Sequence, residues 1–171
     1  RQMCIRDRAI GDALAAVLMS HKNFKREDFA KLHPAGDLGM RLKLTVKDIM
    51  QPIEKVAIVS LDTNLRNVVI RMTENPQGAA LVLDEKSLLL GIVTEGDLRR
   101  SLVQNVDIDN SKVEEVMSRE PITININSLM SEVLTLMENR ESQISVLPVI
   151  ADDMRCVGLI RLHDIYQTRL L

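Results

Sequence analysis

The chain repeats itself. "VKDIM" at residues 46–50 returns as "VEEVM" at 113–117, and "GIVTEGDL" at 91–98 returns as "GLIRLHDI" at 158–165, both offset by 67 residues. A fixed offset carried over that distance means one supersecondary unit built twice. Between the matched stretches, Leu65, Val68, Val69 and Met72 are spaced as one buried helix face, and Met130, Val133, Leu134 and Met137 repeat that spacing. Asp62 and Asn127 stand three residues ahead of each set, where helix N-caps are expected. Each unit then shows an apolar strand ("AALVLD", then "SVLPVI"), a turn, a second strand ("LLLGIV", then "RCVGLI") and a short helix. The expectation is an α/β fold of two β-α-β-β-α modules, each of roughly 55–60 residues and small for independent stability. Two copies bury their sheets against each other as a pseudo-two-fold pair with a cleft between them, and such clefts are favoured ligand sites. The polar, turn-rich "QNVDIDNS" at 104–111 suits the boundary.

Composition narrows the function classes. The 171 residues are 46% apolar, 27% charged and only 2% aromatic with no Trp, so Val, Ile, Leu, Met and Ala must build the core. A net charge of −2 provides no broad basic face, and no nucleic-acid partner is expected. Cys4 and Cys156 make no disulfide framework, and no Cys/His cluster points to a metal. The longest apolar runs, such as 88–93, fall far short of the about 20 residues of a membrane helix. With no signal peptide legible, the expectation is a cytoplasmic chain without a membrane partner. Residues 1–8, "RQMCIRDR", look foreign to the rest of the chain and resemble a translated sequencing-adapter remnant. On that reading the chain is a piece of a longer protein.

The repeated unit resembles the cystathionine-β-synthase-type (CBS) domain, here as a tandem pair over about residues 45–171. The signature of that family is Gly, two apolar residues, Ser or Thr, two variable residues, then Asp. Gly91, Ile92, Val93, Thr94 and Asp97 match it, as do Gly158, Leu159, Ile160 and Asp164 in the second copy, where Arg161 replaces the hydroxyl residue. Residues 44–104 and 111–171 are the two expected domains.

Residues 9–43 stand apart from the repeat. Ile10, Ala13, Leu14, Val17 and Leu18 share one helical face, "REDFAKL" is expected as one more short helix, and Pro34 ends it. The segment resembles the end of a sugar isomerase (SIS) domain of the arabinose-5-phosphate isomerases, through "GDALA" at 11–15, then Phe29, His33, Pro34, Ala35, Gly36, Leu38 and Gly39. Met40 stands where that family usually has a basic residue. Arg161 stands where it often has Asn or His, which leaves the ligand chemistry of the second half-site open.

Two readings of Thr94 and Asp97 stand side by side. A Thr followed three residues later by an acid is a capping box. By the resemblance, Asp97 and Asp164 would hold ribose hydroxyls, with Thr94 facing phosphate at a helix N-terminus. Arg161 would either pair with phosphate or form an ion pair. Arg99 and Arg100 favour the helix dipole. His21 reads as a helix-end residue, His163 as a surface or orienting one, Cys156 as an inert strand residue, and Met72 and Met137 as core. His33 is the catalytic candidate, since aldose–ketose isomerisation through an enediol needs an acid/base near neutral pKa.

The resemblance implies a regulatory CBS pair joined to the end of the catalytic domain of an arabinose-5-phosphate isomerase. The parent enzyme would convert ribulose 5-phosphate to arabinose 5-phosphate for the sugar Kdo of lipopolysaccharide or capsule. It implies a sugar phosphate substrate, no catalytic cofactor and no metal, a homotetramer, and a regulatory adenine nucleotide or CMP-sugar at the cleft. This chain alone is expected to be inactive. The alternative is a stand-alone nucleotide-sensing module.

Overall fold

The computed structural model describes residues 2–23, 44–140 and 143–167, and the chain divides into two units, Arg1–Lys43 and Leu44–Leu171. In the first unit, α1 (Gln2–His21) runs without a break across residue 8. Ile10, Leu14, Val17 and Leu18 along it are exposed. A turn follows, with Asn23 at φ 47°. The expected second helix, Phe29 and His33 lie outside the described residues.

The second unit holds the repeat. Its strands are β1 (Gln51–Pro52), β2 (Ala57–Val59), β3 (Ala79–Leu83), β4 (Leu89–Thr94), β5 (Ser118–Arg119), β6 (Ile124–Asn125), β7 (Val146–Ile150) and β8 (Cys156–Arg161). Its helices are α2 (Val46–Ile49), α3 (Leu65–Glu74), α4 (Glu95–Val103), α5 (Met130–Glu138) and α6 (Leu162–Gln167). Among the described residues these strands form two four-stranded sheets, ordered β2-β3-β4-β5 and β1-β8-β7-β6. In each, a parallel pair bridged by a helix (β2 with β3, β6 with β7) is followed by an antiparallel hairpin (β3 with β4, β7 with β8).

The fourth strand of each sheet comes from the opening segment of the other repeat. β1 pairs with β8, through Gln51↔Leu159 and Pro52↔Gly158, while β5 pairs with β4, through Ile92↔Ser118 and Gly91↔Arg119. The exchange keeps the 67-residue offset at every position. The two motif glycines make it feasible. An added Cβ at Gly158 would run into the Gln51 carbonyl oxygen, and one at Gly91 would lie 2.6 Å from Met117 Sδ and 3.0 Å from the Ser118 carbonyl oxygen.

Packing follows the period of two in each strand. In β3, Ala80 and Val82 face Val68 and Met72 of α3, together with Val113 and Met117. Ala79, Leu81 and Leu83 turn the other way and meet Cys156 and Leu159 of β8 between the sheets. The second repeat mirrors this, with Leu147, Val149 and Ile160 packed against Met130, Val133 and Met137, joined by Val46. Burial on both faces explains why β3 is apolar throughout. Val69 does not join the face its spacing suggested and is exposed.

The N-caps differ from expectation. Asn64 caps α3, its Oδ1 accepting from Asn67 N at 2.9 Å, while Asp62 instead accepts from Lys112 Nζ at 2.8 Å. Leu129 occupies the N-cap position of α5 without a side-chain bond, and Asn127 donates to Asp152.

Candidate functional site

Asp97 is 8% exposed, and both of its carboxylate oxygens have partners. Oδ2 accepts from Thr94 N at 2.8 Å and Thr94 Oγ1 at 2.6 Å, while Oδ1 accepts from Arg100 Nη2. Thr94 Oγ1 accepts in turn from Asp97 N at 3.3 Å. The capping box is therefore real and starts α4. A box of this kind does not by itself mark a ligand site. Thr45 and Asp48 form another at the start of α2, where the Thr45 N–H and hydroxyl hold Asp48 below the usual carboxylate range.

Location separates the two boxes. Thr94 and Asp97 line a cleft of about 480 Å³, within the range of small-molecule sites. Its walls come from both halves of the pair: Gly78, Thr94, Asp97, Arg100 and Ser118 on one side, Gln143, Ser145 and Val146 on the other. Other hollows of similar volume, on α5 and beside α3, are each lined by one repeat only. At the cleft, Gly78 adopts φ 79°, a conformation that suits glycine, and its carbonyl accepts from Glu95 N at 3.2 Å. The backbone N–H groups of the first turn of α4 and the side chains of Arg99 and Arg100 offer donors for an anion, beside the carboxylates of Glu95 and Asp97. Asp97 supplies acceptors for hydroxyl groups.

Around the pseudo-two-fold axis, Thr94, Asp97, Ser118, Gln143 and Gly78 correspond to Arg161, Asp164, Gln51, Pro76 and Ser145. Arg161 and Asp164 form the ion pair that the sequence left as one of two roles. Arg161 Nε donates to Asp164 Oδ2 at 2.9 Å and Nη2 to Oδ1 at 2.5 Å. Gln51 Nε2 donates to Oδ2 at 3.2 Å, and Arg161 Nη1 reaches the Pro76 carbonyl at 3.3 Å. Burial pushes the Asp164 carboxyl up, but the bonds from Arg161 and Gln51 outweigh it and the group lies below its ordinary value. Gln51 was missed from sequence because strand exchange, not local pattern, delivers it, and Pro76 because it offers a backbone carbonyl from the turn after α3 rather than a side chain.

The remaining candidates lie elsewhere. His163 is exposed, its ring Nε2 2.8 Å from Gln167 Nε2. Cys156 is buried between the sheets, which raises its thiol pKa. Met72 and Met137 are core residues.

The architecture defines a tandem-domain module with a cleft between its halves. The CBS domain model matches residues 46–104 and 113–170, and the chain belongs to that family. It is 38% identical to arabinose 5-phosphate isomerase KdsD of Pseudomonas aeruginosa over 95% of this chain and 49% of that protein. It is 36% identical to arabinose 5-phosphate isomerase KpsF of Escherichia coli over 91% of this chain and 46% of that one. The chain thus spans about half the length of these relatives. The solved CBS domain pair of protein MJ0100, in complex with 5′-methylthioadenosine and S-adenosyl-L-methionine, aligns at a TM-score of 0.65 with 25% identity, covering 74% of this chain and 95% of that one.

Proposed function

We propose that this chain is the regulatory CBS pair, with the end of the catalytic domain, of an enzyme that interconverts ribulose 5-phosphate and arabinose 5-phosphate for Kdo synthesis. The observation that carries this reading is the reach of the similarity. The alignment with the Pseudomonas isomerase runs over 162 residues, longer than the two CBS domains together, and so takes in part of the segment before Val46. His33 is the proposed proton carrier between the adjacent carbons. One such group without its partner residues and phosphate pocket cannot orient the sugar, so residues 1–171 alone should be inactive.

In this reading the cleft at Thr94 and Asp97 is a sensor for an adenine nucleotide or a CMP-sugar, with Asp97 accepting from ribose hydroxyls and the α4 N-terminus and Arg100 facing phosphate. The adenosine compounds bound by the MJ0100 pair support the adenosine class. The sensing role also holds for the alternative, a free-standing module without activity. A coupled assay of the full-length protein decides between the two. The expected result is turnover of ribulose 5-phosphate that responds to one of AMP, ATP or CMP-Kdo, with the response removed by Asp97→Ala. An inactive full-length protein whose cleft still binds nucleotide would leave the sensing module alone standing.

A further inference from the structure

We infer that the two half-sites of the pair are unequal: ligand enters at Asp97, while Arg161 closes the half-site of Asp164, so that each chain takes one nucleotide rather than two. This rests on the sensing reading of the cleft.

Two side chains differ between the half-sites about the pseudo-two-fold axis. A threonine hydroxyl is replaced by a guanidinium at Arg161, and a serine by the longer Gln51. Both replacements reach Asp164. Its two oxygens are taken by the fork of Arg161, and Oδ2 is shared with Gln51. Such bidentate pairs fix geometry as well as charge. The third guanidinium nitrogen, Nη1, holds the Pro76 carbonyl in the other repeat, so Arg161 bridges the mouth of this half-site from one domain to the next. A ligand hydroxyl would meet Oδ2 already doubly engaged and Oδ1 covered by a guanidinium that the Pro76 contact ties in place.

Asp97 also has an arginine partner, but of a different kind. Arg100 touches only Oδ1, from the same helix, and its side chain is 68% exposed. The Arg161 side chain is 24% exposed. An exposed single contact is readily exchanged with water, and Arg100 is free to swing toward a phosphate. Arg161 has no such freedom. The lock also keeps a partner on a carboxylate that is itself only 8% exposed, as Asp164 is.

Titration calorimetry of the chain with AMP, ATP and CMP as probes tests this. The expected stoichiometry is one per chain for the wild type and none for Asp97→Ala. Arg161→Thr should rise to two, and the double variant should keep one. Two sites on the wild type, or residual binding in Asp97→Ala, would overturn the inference while leaving the sensor intact. So would an Arg161→Thr protein that retains a cooperative thermal transition and still binds one. Should Arg161→Thr fail to fold, the wild type and Asp97→Ala still decide. No binding to any of these proteins would overturn the sensor reading, and the lock with it.

Discussion

An alanine at Gly158 places its Cβ against the Gln51 carbonyl oxygen, an atom fixed by the β1–β8 pairing. At Gly91 the nearest atom is Met117 Sδ, the end of a flexible side chain. Overpacking against rigid backbone costs about 1–3 kcal/mol, whereas a methionine moves aside for less. Gly158→Ala should therefore lower the thermal midpoint by several degrees and Gly91→Ala by clearly less. Differential scanning calorimetry of the two variants checks the ranking, and equal shifts would contradict it. Both glycines were legible as motif residues, but the contact that requires them was not. The partners Gln51 and Ser118 lie in two-residue strands, too short to show any period. Asp97 was legible for the same reason that it was ambiguous: a helix cap and a ribose ligand ask for the same residue pair at the same spacing. The structure shows the cap, and the surrounding cleft distinguishes it from the box at Thr45.

Among the elements, the strands keep the 67-residue offset, as do α4 and α6 with their starts at Glu95 and Leu162, but α3 and α5 do not. Leu65 and Met130 begin α3 and α5 and are only 65 apart, so Asn64 corresponds to Leu129 rather than to a capping residue. The sequence pattern located both helix faces, yet it placed the caps at Asp62 and Asn127 because any polar residue near the first apolar position satisfies the rule. The backbone chose the residue immediately before the helix. Both positions are extended, with ψ 157° at Asn64 and 149° at Leu129, which is the geometry an N-cap side chain needs. Asn64→Ala should thus lose about 1 kcal/mol, and Leu129→Asn should gain about 0.5–1 kcal/mol by capping α5. Urea melts followed by circular dichroism read both changes. A destabilised Leu129→Asn would mean that the Leu129 side chain packs more than its 39% exposure indicates.

At the scale of the whole second unit, strand exchange makes each half complete only through the other. Val46 opens the first repeat but is buried with Met130, Val133 and Ile160 of the second. Val113 opens the second repeat but is buried with Val68, Val82 and Val93 of the first. The same reciprocity runs through the backbone: Val46 N donates to the Ser128 carbonyl and Val113 N to the Thr63 carbonyl. Between the sheets, Leu81 and Ile92 of one repeat pack on Leu159 and Cys156 of the other. Neither repeat can open without stripping core residues from its neighbour, so residues 44–171 should unfold in one step. Val46→Ala and Val113→Ala each remove a fully buried side chain, at a cost of about 2 kcal/mol. Each should raise the hydrogen-exchange rate of the most protected amides in both repeats by the same factor. Peptide-level exchange by mass spectrometry separates this from the alternative, in which Val113→Ala loosens only the strands of the first sheet and the two domains open independently. A single shared opening would also carry a ligand's stabilisation at Asp97 into β7 and β8, which is how one occupied half-site could report to the entire pair.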